Sequence, residues 1–338
     1  MHKLNSNKLI VDGIRGWAFL IVLVSHGFNL CLDGSVIYLQ GCGKYGVWLF
    51  FVLSSYLLTQ NYVLSDGSKL EYIIGRVLRI LPLYFICIII YSFFDIFTPT
   101  VYEILLAGIG LYGPAHLWTI SVEFYFYFIL LMIWLIQNSQ IRNLIMTVTA
   151  LVSIIFLIYI PKDTNSINVF WYMPSFYCGY ILAVITPKLS PVKFGFTVPV
   201  LIFSGFIFLS PGAQFILLDI DPSPYLANMY LPLSVLWAFF IFTILNTKSK
   251  FINHIFESQV LTFLGKVSYS GYLFHALVMI QIEKIMGSSL ATVLIGIIMS
   301  ILIAFIVNKL VEMPIYRWRK VILERIIRIE VFGQPKNS

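Results

Sequence analysis

The sequence predicts an all-α, polytopic membrane protein of about ten transmembrane helices, and three observations carry that expectation. Charged residues make up 11% of the 338-residue chain and hydrophobic residues 59%, whereas about a quarter of a soluble domain is charged. Apolar runs of roughly the 20 residues needed to cross a bilayer recur from end to end. The runs are continuous and do not alternate, which points to helices and away from a membrane barrel. They fall at 9–31, 45–63, 80–97, 117–137, 142–160, 168–187, 194–210, 225–246, 267–286 and 289–310.

Basic residues orient the spans. With the amino terminus in the cytoplasm, seventeen of the 22 Lys and Arg lie inside. Lys44, Lys162 and Lys284 fall outside, and Arg15 and Lys309 sit at helix ends. The positive-inside rule therefore places both termini in the cytoplasm. It also accounts for the formal net charge of +7 without a nucleic-acid partner. The first run reads as a retained signal-anchor, since Arg15 and His26 interrupt it and no small-x-small cleavage site follows. After residue 311 the tail, 312–338, is short and basic, as expected of an amphipathic helix lying on the inner leaflet among membrane lipids. Cys87 and Cys178 read as packing residues within spans. Cys31 and Cys42 flank the first outer loop and would pair if that side is oxidising.

Charged groups within spans are costly, so each is a candidate for function. In the first span, Arg15 and His26 are separated by eleven residues. That is about three helical turns, which leaves them within ~20° of one face and ~16 Å apart in depth. At the inner end of the third span, Arg76 and Arg79 share a face three residues apart, ahead of Pro82 in the early turns. Arginine's fork of donors suits phosphate. Entering the fourth span from outside, His116-Leu-Trp-Thr-Ile-Ser-Val-Glu123 puts Glu123 at a depth comparable with His26. A buried carboxylate needs a partner, and His26 is the expected one. His116 either caps the helix mouth or lies in an acceptor pocket. In the ninth span, His275 follows Ser268, Tyr269 and Tyr272. A lone intramembrane histidine is more often a structural hydrogen-bonder, so His275, His116 and Tyr269 are secondary candidates.

Two stretches, Gly41-Cys-Gly-Lys-Tyr-Gly46 and Gly108-Ile-Gly-Leu-Tyr-Gly113, fit G-x-G-x-x-G. Neither follows a strand in a βαβ unit, so both read as loop glycines. No metal-ligand spacing, P-loop or G-x-S-x-G is present, and no bound cofactor or metal is expected.

In this order the clusters resemble the acyltransferase-3 family of integral membrane O-acyltransferases. Arg15 and His26 match its first-span pair, and Phe50-Phe51-Val-Leu-Ser54-Ser55 matches a phenylalanine-rich segment with serine in place of the family's glycine. Arg76 to Tyr84 matches R-x-x-R-I-x-P-x-Y, and Trp118 to Glu123 matches Trp-Ser-Leu-x-x-Glu with two substitutions. Ser268, Tyr269, Tyr272, Leu273 and His275 match a Ser-Tyr-…-Tyr-Leu-x-His pattern, and Glu312 and Pro314 a terminal Glu-x-Pro. Residues 1–311 would then be the acyltransferase domain.

The resemblance implies transfer of an acyl group, usually acetyl, from cytoplasmic acyl-CoA to a hydroxyl beyond the membrane. The expected acceptor is a sugar of a surface polysaccharide or its undecaprenyl-linked precursor, and the expected location a bacterial inner membrane. Some family members carry an extra extracytoplasmic esterase-like domain. This chain is expected to acylate the acceptor in its membrane core or with a separate partner. Arg15, Arg76 and Arg79 would hold the CoA phosphates. His26 would act as general base, or as a nucleophile forming an acyl-imidazole, with Glu123 orienting the ring. A different class, a proton-coupled transporter or flippase relaying protons through His26, Glu123 and His275, is compatible with the same intramembrane charges. The chain shows no inverted repeat or matched broken helices of the kind many transporters carry.

Overall fold

A computed structural model describes residues 2–32, 41–65, 67–159, 167–188, 193–219 and 230–332. In chain order the helices are α1 (His2–Cys31), α2 (Gly43–Leu58), α3 (Lys69–Phe93), α4 (Val101–Gly108), α5 (Trp118–Trp134), α6 (Ser139–Tyr159) and α7 (Met173–Ile185). There follow α8 (Thr197–Phe208), α9 (Pro211–Leu218), α10 (Tyr230–Leu245), α11 (Lys250–Phe256), α12 (Gln259–Met286), α13 (Leu290–Val307) and α14 (Met313–Phe332). Among the described residues the β content is one isolated bridge between Phe194 and Thr247.

Each of the ten apolar runs overlaps a helix within its described residues. Six described helices are long and apolar enough to cross a membrane: Lys8–Cys31, Lys69–Phe93, Ala115–Trp134, Ser139–Leu157, Val169–Lys188 and Leu290–Glu324. The run at 194–210 folds as α8, bent by 67° against α9 across a short break. Together that pair would make a seventh span. The runs at 45–63 and 267–286 and the part of 225–246 from residue 230 onward overlap α2, α12 and α10, while 225–229 and Lys162 lie outside the described residues.

The third span differs from expectation in its start. Ser68 caps α3 by accepting the Glu71 N–H at 3.2 Å, so the helix begins at Lys69 and not near residue 80. Arg76 and Arg79 consequently lie two to three turns inside it. Pro82, expected in the early turns, sits mid-helix, where it removes one backbone donor.

Glycines let the central helices touch backbone to backbone. A Cβ on Gly16 would lie 2.0 Å from Leu261 O, and one on Gly265 would lie 1.9 Å from Asp12 O. These contacts join α1 and α12 into a parallel seam, the small-residue solution for helix contact in a bilayer. Between α2 and α7 the close approach comes from Gly179, where a Cβ would lie 2.1 Å from Val52 O. Ser55, which stands where the family pattern has glycine, is buried and donates to Phe176 O at 2.6 Å. Gly41 and Gly110, from the two G-x-G-x-x-G stretches, adopt φ of 75° and 78° in turns.

Cys31 is buried, with its thiol directed at Met279 O at 3.8 Å, and no disulfide joins it to Cys42. After α13 the chain passes through a π-turn, Asn308–Glu312, into α14, which packs back against α3.

Candidate active site

Two linked features make up the site, and the α1–α12 seam carries both. Arg15 Nη2 donates to Ser268 Oγ at 3.3 Å. Farther along the same helices, His26 Nδ1 meets His275 Nε2 at 2.6 Å. Ser268 and His275 are two turns apart on α12 and so share a face. The expected common face of Arg15 and His26 is therefore present, and it points at α12.

On the Arg15 side lies a cavity of about 200 Å³, lined by Arg15, Arg76, Arg79, Glu123, Tyr127 and Tyr269 among others. The three expected arginines, from α1 and α3, thus meet in one space. Arg76 places its guanidinium 5.7 Å from the centre of the Tyr127 ring, a cation–π distance. Its Nε is buried without a hydrogen-bond partner. Buried donors are normally satisfied, so this one marks a place for an acceptor. Asp12 stands 3.9 Å from Arg15 Nη1.

A wider basin of about 510 Å³ adjoins the first. Arg15 and Arg79 line both spaces and form their common wall. The basin adds Lys8, Lys266, Lys309 and Arg319 as cations, against Asp12 and Glu312. Glu312 is held by Ser270 Oγ at 2.5 Å and by Asn308 Nδ2 at 2.9 Å, a position set by the π-turn.

Glu123 does not partner His26. Its Oε1 accepts from Ser54 Oγ at 2.7 Å and from the Tyr127 hydroxyl. The expectation rested on matching depth alone, which does not fix the direction in which a helix points a side chain. In α5 the carboxylate turns toward α2 and the arginine cavity. Tyr127, four residues on, is the (i, i+4) neighbour, a signal present in the sequence. Ser54 was visible only as part of a motif. Tyr269, a secondary candidate, donates to Ile80 O at 2.7 Å, so its hydroxyl braces α12 against α3.

His26, His116 and His275 come together from three separate parts of the chain. The His26 and His275 rings lie nearly parallel, with 22° between their planes and centroids 4.9 Å apart, and meet edge to edge through the Nδ1–Nε2 contact. The His116 ring stands edge-on to both, at 6.2 Å and 5.1 Å. His275 is fully buried, whereas His26 and His116 are partly exposed. His116, expected to cap the helix mouth or to lie in an acceptor pocket, is placed within this histidine group. Among the described residues no three His, Cys, Asp or Glu side chains are arranged to hold a metal.

Tyr272 belongs to both features. It lines the arginine cavity, and its ring lies 5.8 Å from His116 and 5.7 Å from His275. Thr119 donates to its hydroxyl at 2.8 Å, and that hydroxyl donates to His116 O at 2.6 Å. The Tyr272–Thr119 pair therefore stands where the cavity meets the histidines.

The family model Acyl_transf_3, described as an acyltransferase domain, matches residues 9–309. A putative acetyltransferase, ORF330, of Acidianus two-tailed virus is 26% identical over 317 residues, 86% of each chain. The O-acetyltransferase OatA of Staphylococcus aureus is 25% identical over 352 residues, covering 90% of this chain and 56% of that protein. The peptidoglycan O-acetyltransferase OatA of Listeria monocytogenes is 26% identical over 314 residues, covering 78% of this chain and 48% of that protein. The chain thus spans about half the length of these two OatA relatives. No solved structure matches. With the family match running through nearly all of an apolar helical bundle, this chain belongs to the acyltransferase-3 family and is a membrane acyltransferase.

Proposed function

We propose that this chain is an O-acetyltransferase that takes an acetyl group from cytoplasmic acyl-CoA and esterifies a hydroxyl on a sugar beyond the membrane. The names of its relatives support the acetyl group and the sugar class. The observation that carries the donor is the pair Arg15 and Arg79, common to the basic basin and the inner cavity. CoA has a polyanionic nucleotide end and a long neutral arm. A wide cationic basin leading through two arginines into a narrow cavity matches that shape and charge. Arg76, with its unmatched Nε, supplies a further donor. Glu123 acts here as the counter-charge of the arginine cavity.

In this reading all ten apolar runs cross the bilayer, and both termini lie in the cytoplasm. The basin then faces the cytoplasm, and His26, about three turns farther along α1, lies toward the opposite side. The acceptor is a surface polysaccharide or a lipid-linked sugar precursor in a bacterial cytoplasmic membrane.

His26 removes the proton of the acceptor hydroxyl as the oxygen attacks the thioester carbonyl. The new C–O bond forms, the C–S bond breaks with its electron pair on sulfur, and the imidazolium returns the proton to the CoA thiolate. Only the acetyl group leaves the donor, so CoA itself need not cross the membrane. Rotation of Tyr272 away from Thr119 would open the way from the cavity to the histidines.

The test is purified protein in nanodiscs with acetyl-labelled acetyl-CoA. CoA release that depends on a sugar acceptor, with label on the acceptor, is expected. No CoA release, with movement of a sugar or lipid across the bilayer, would instead support a transporter. Label retained on His26 in the absence of acceptor would replace direct transfer by an acyl-imidazole route.

A further inference from the structure

We infer that His275 is a positioning residue that fixes His26 in the tautomer whose Nε2 is bare and free to take a proton. The inference rests on the reading of His26 as the base, and it assigns the orienting role expected of Glu123 to a histidine.

The argument begins at the far side of His275. Its Nδ1 lies 2.8 Å from Tyr272 O and 3.2 Å from Gly271 O. Carbonyl oxygens only accept, so Nδ1 must carry a hydrogen. His275 is fully buried, and no carboxylate among the described residues hydrogen-bonds either ring. A buried charge without such a partner is costly, so the ring is neutral and its Nε2 holds a lone pair. The 2.6 Å contact to His26 Nδ1 then needs a proton, and His26 Nδ1 must supply it. With Nδ1 protonated, a neutral His26 has its lone pair on Nε2.

The surroundings agree with that polarity. A Cβ built on Gly43 would lie 3.2 Å from both Nε2 and Cδ2 of His26. The bare nitrogen thus faces a residue without a side chain. One turn before His275, a Cβ on Gly271 would lie 2.2 Å from Phe19 Cζ, so glycine there lets α1 come close enough for the nitrogen–nitrogen contact. The backbone carbonyl of His275 also accepts from Ser300 Oγ at 3.4 Å, tying this turn of α12 to α13. The chain backbone carbonyl → His275 → His26 → acceptor hydroxyl has the logic of a serine-hydrolase triad, with imidazole in the place of the carboxylate.

The experiment uses the full chain in nanodiscs with isotope-labelled histidine. The chain has five histidines, and loss of one set of ring signals in His26→Asn assigns His26. Ring nitrogen shifts should show His26 with Nδ1 protonated and Nε2 bare. His275→Phe, which keeps bulk and removes the acceptor, should mix the His26 tautomers. It should lower kcat about 100-fold or more, as misorienting a triad base does, with acetyl-CoA KM within about threefold. His275→Gln, whose amide oxygen can sit near the former Nε2, should recover about tenfold over His275→Phe. A protonated Nε2 on wild-type His26 would overturn the inference without any variant having to fold. So would a folded His275→Phe with kcat within about twofold of wild type. If His26→Ala itself still transfers, the base assignment falls and takes this role with it. If His26→Ala is inactive while His275→Phe is not, only the role of His275 falls.

Discussion

Arg15 and Ser268 are joined by a hydrogen bond of 3.3 Å across a helix contact so tight that neither backbone could tolerate a side chain at Gly16 or Gly265. That contact belongs to the same α1–α12 seam that sets His26 against His275. The two halves of the site are therefore expected to fail together when the seam opens. Gly265→Leu forces bulk against Asp12 O, and overpacking of this kind costs about 1–3 kcal/mol. A lower thermal midpoint with loss of both donor affinity and turnover is expected. Gly195→Ala serves as the control, because nothing lies within 4 Å of a Cβ at that position. Equal stability of the two variants would contradict the seam.

Removal of the shared arginine should act on the donor. Arg79→Ala opens the wall between the basin and the cavity and removes one cation from each. A charge-assisted hydrogen bond contributes about 1.5–3 kcal/mol, so the Kd for acetyl-CoA should rise roughly 10- to 100-fold. Adding Arg76→Ala should weaken binding further. Titration calorimetry on the purified protein measures both, and unchanged donor affinity in the double variant would remove these arginines from the donor site.

Glu123→Gln separates the position seen in the structure from the one the sequence suggested. Its carboxylate bonds Ser54 and Tyr127 beside the arginines, so the amide should raise the KM for acetyl-CoA several-fold and leave kcat within about threefold. Were Glu123 the orienting partner of His26, kcat would instead fall by orders of magnitude, as it does when a triad carboxylate becomes an amide. Steady-state kinetics at saturating acceptor distinguishes the two.

The sequence made the helical membrane architecture legible because a bilayer leaves so few ways to satisfy a backbone. The spacing of Arg15 and His26 gave their common face, since that depends only on helical pitch. What stayed hidden were relations between helices. Depth alone suggested that Glu123 meets His26, but the rotation of α5 about its axis decides the matter, and no local pattern encodes it. The histidine cluster was hidden for the same reason: His26 and His116 lie 90 positions apart in the chain, and His26 and His275 lie 249 apart. Each taken singly reads as an ordinary buried histidine. Hydropathy puts the start of α3 too late because it follows the apolar stretch alone, whereas the helix is set by the Ser68 cap and runs through polar residues first.

Gly43 gives the most local test of where the chemistry occurs. It opens α2, and its N–H donates to Ser25 Oγ at 2.8 Å, next to His26. A methyl group there would lie 3.2 Å from His26 Nε2 and Cδ2, close enough to push the ring by a few tenths of an ångström. Misplacing a reacting group by about 1 Å can cost 100-fold. Gly43→Ala should therefore lower kcat several-fold, and Gly43→Val by roughly 100-fold. Position 43 does not line the arginine cavity, so acetyl-CoA Kd should stay within about twofold. Full turnover in Gly43→Val, with the fold intact, would mean that the Nε2 edge of His26 is not where acceptor and acetyl group meet.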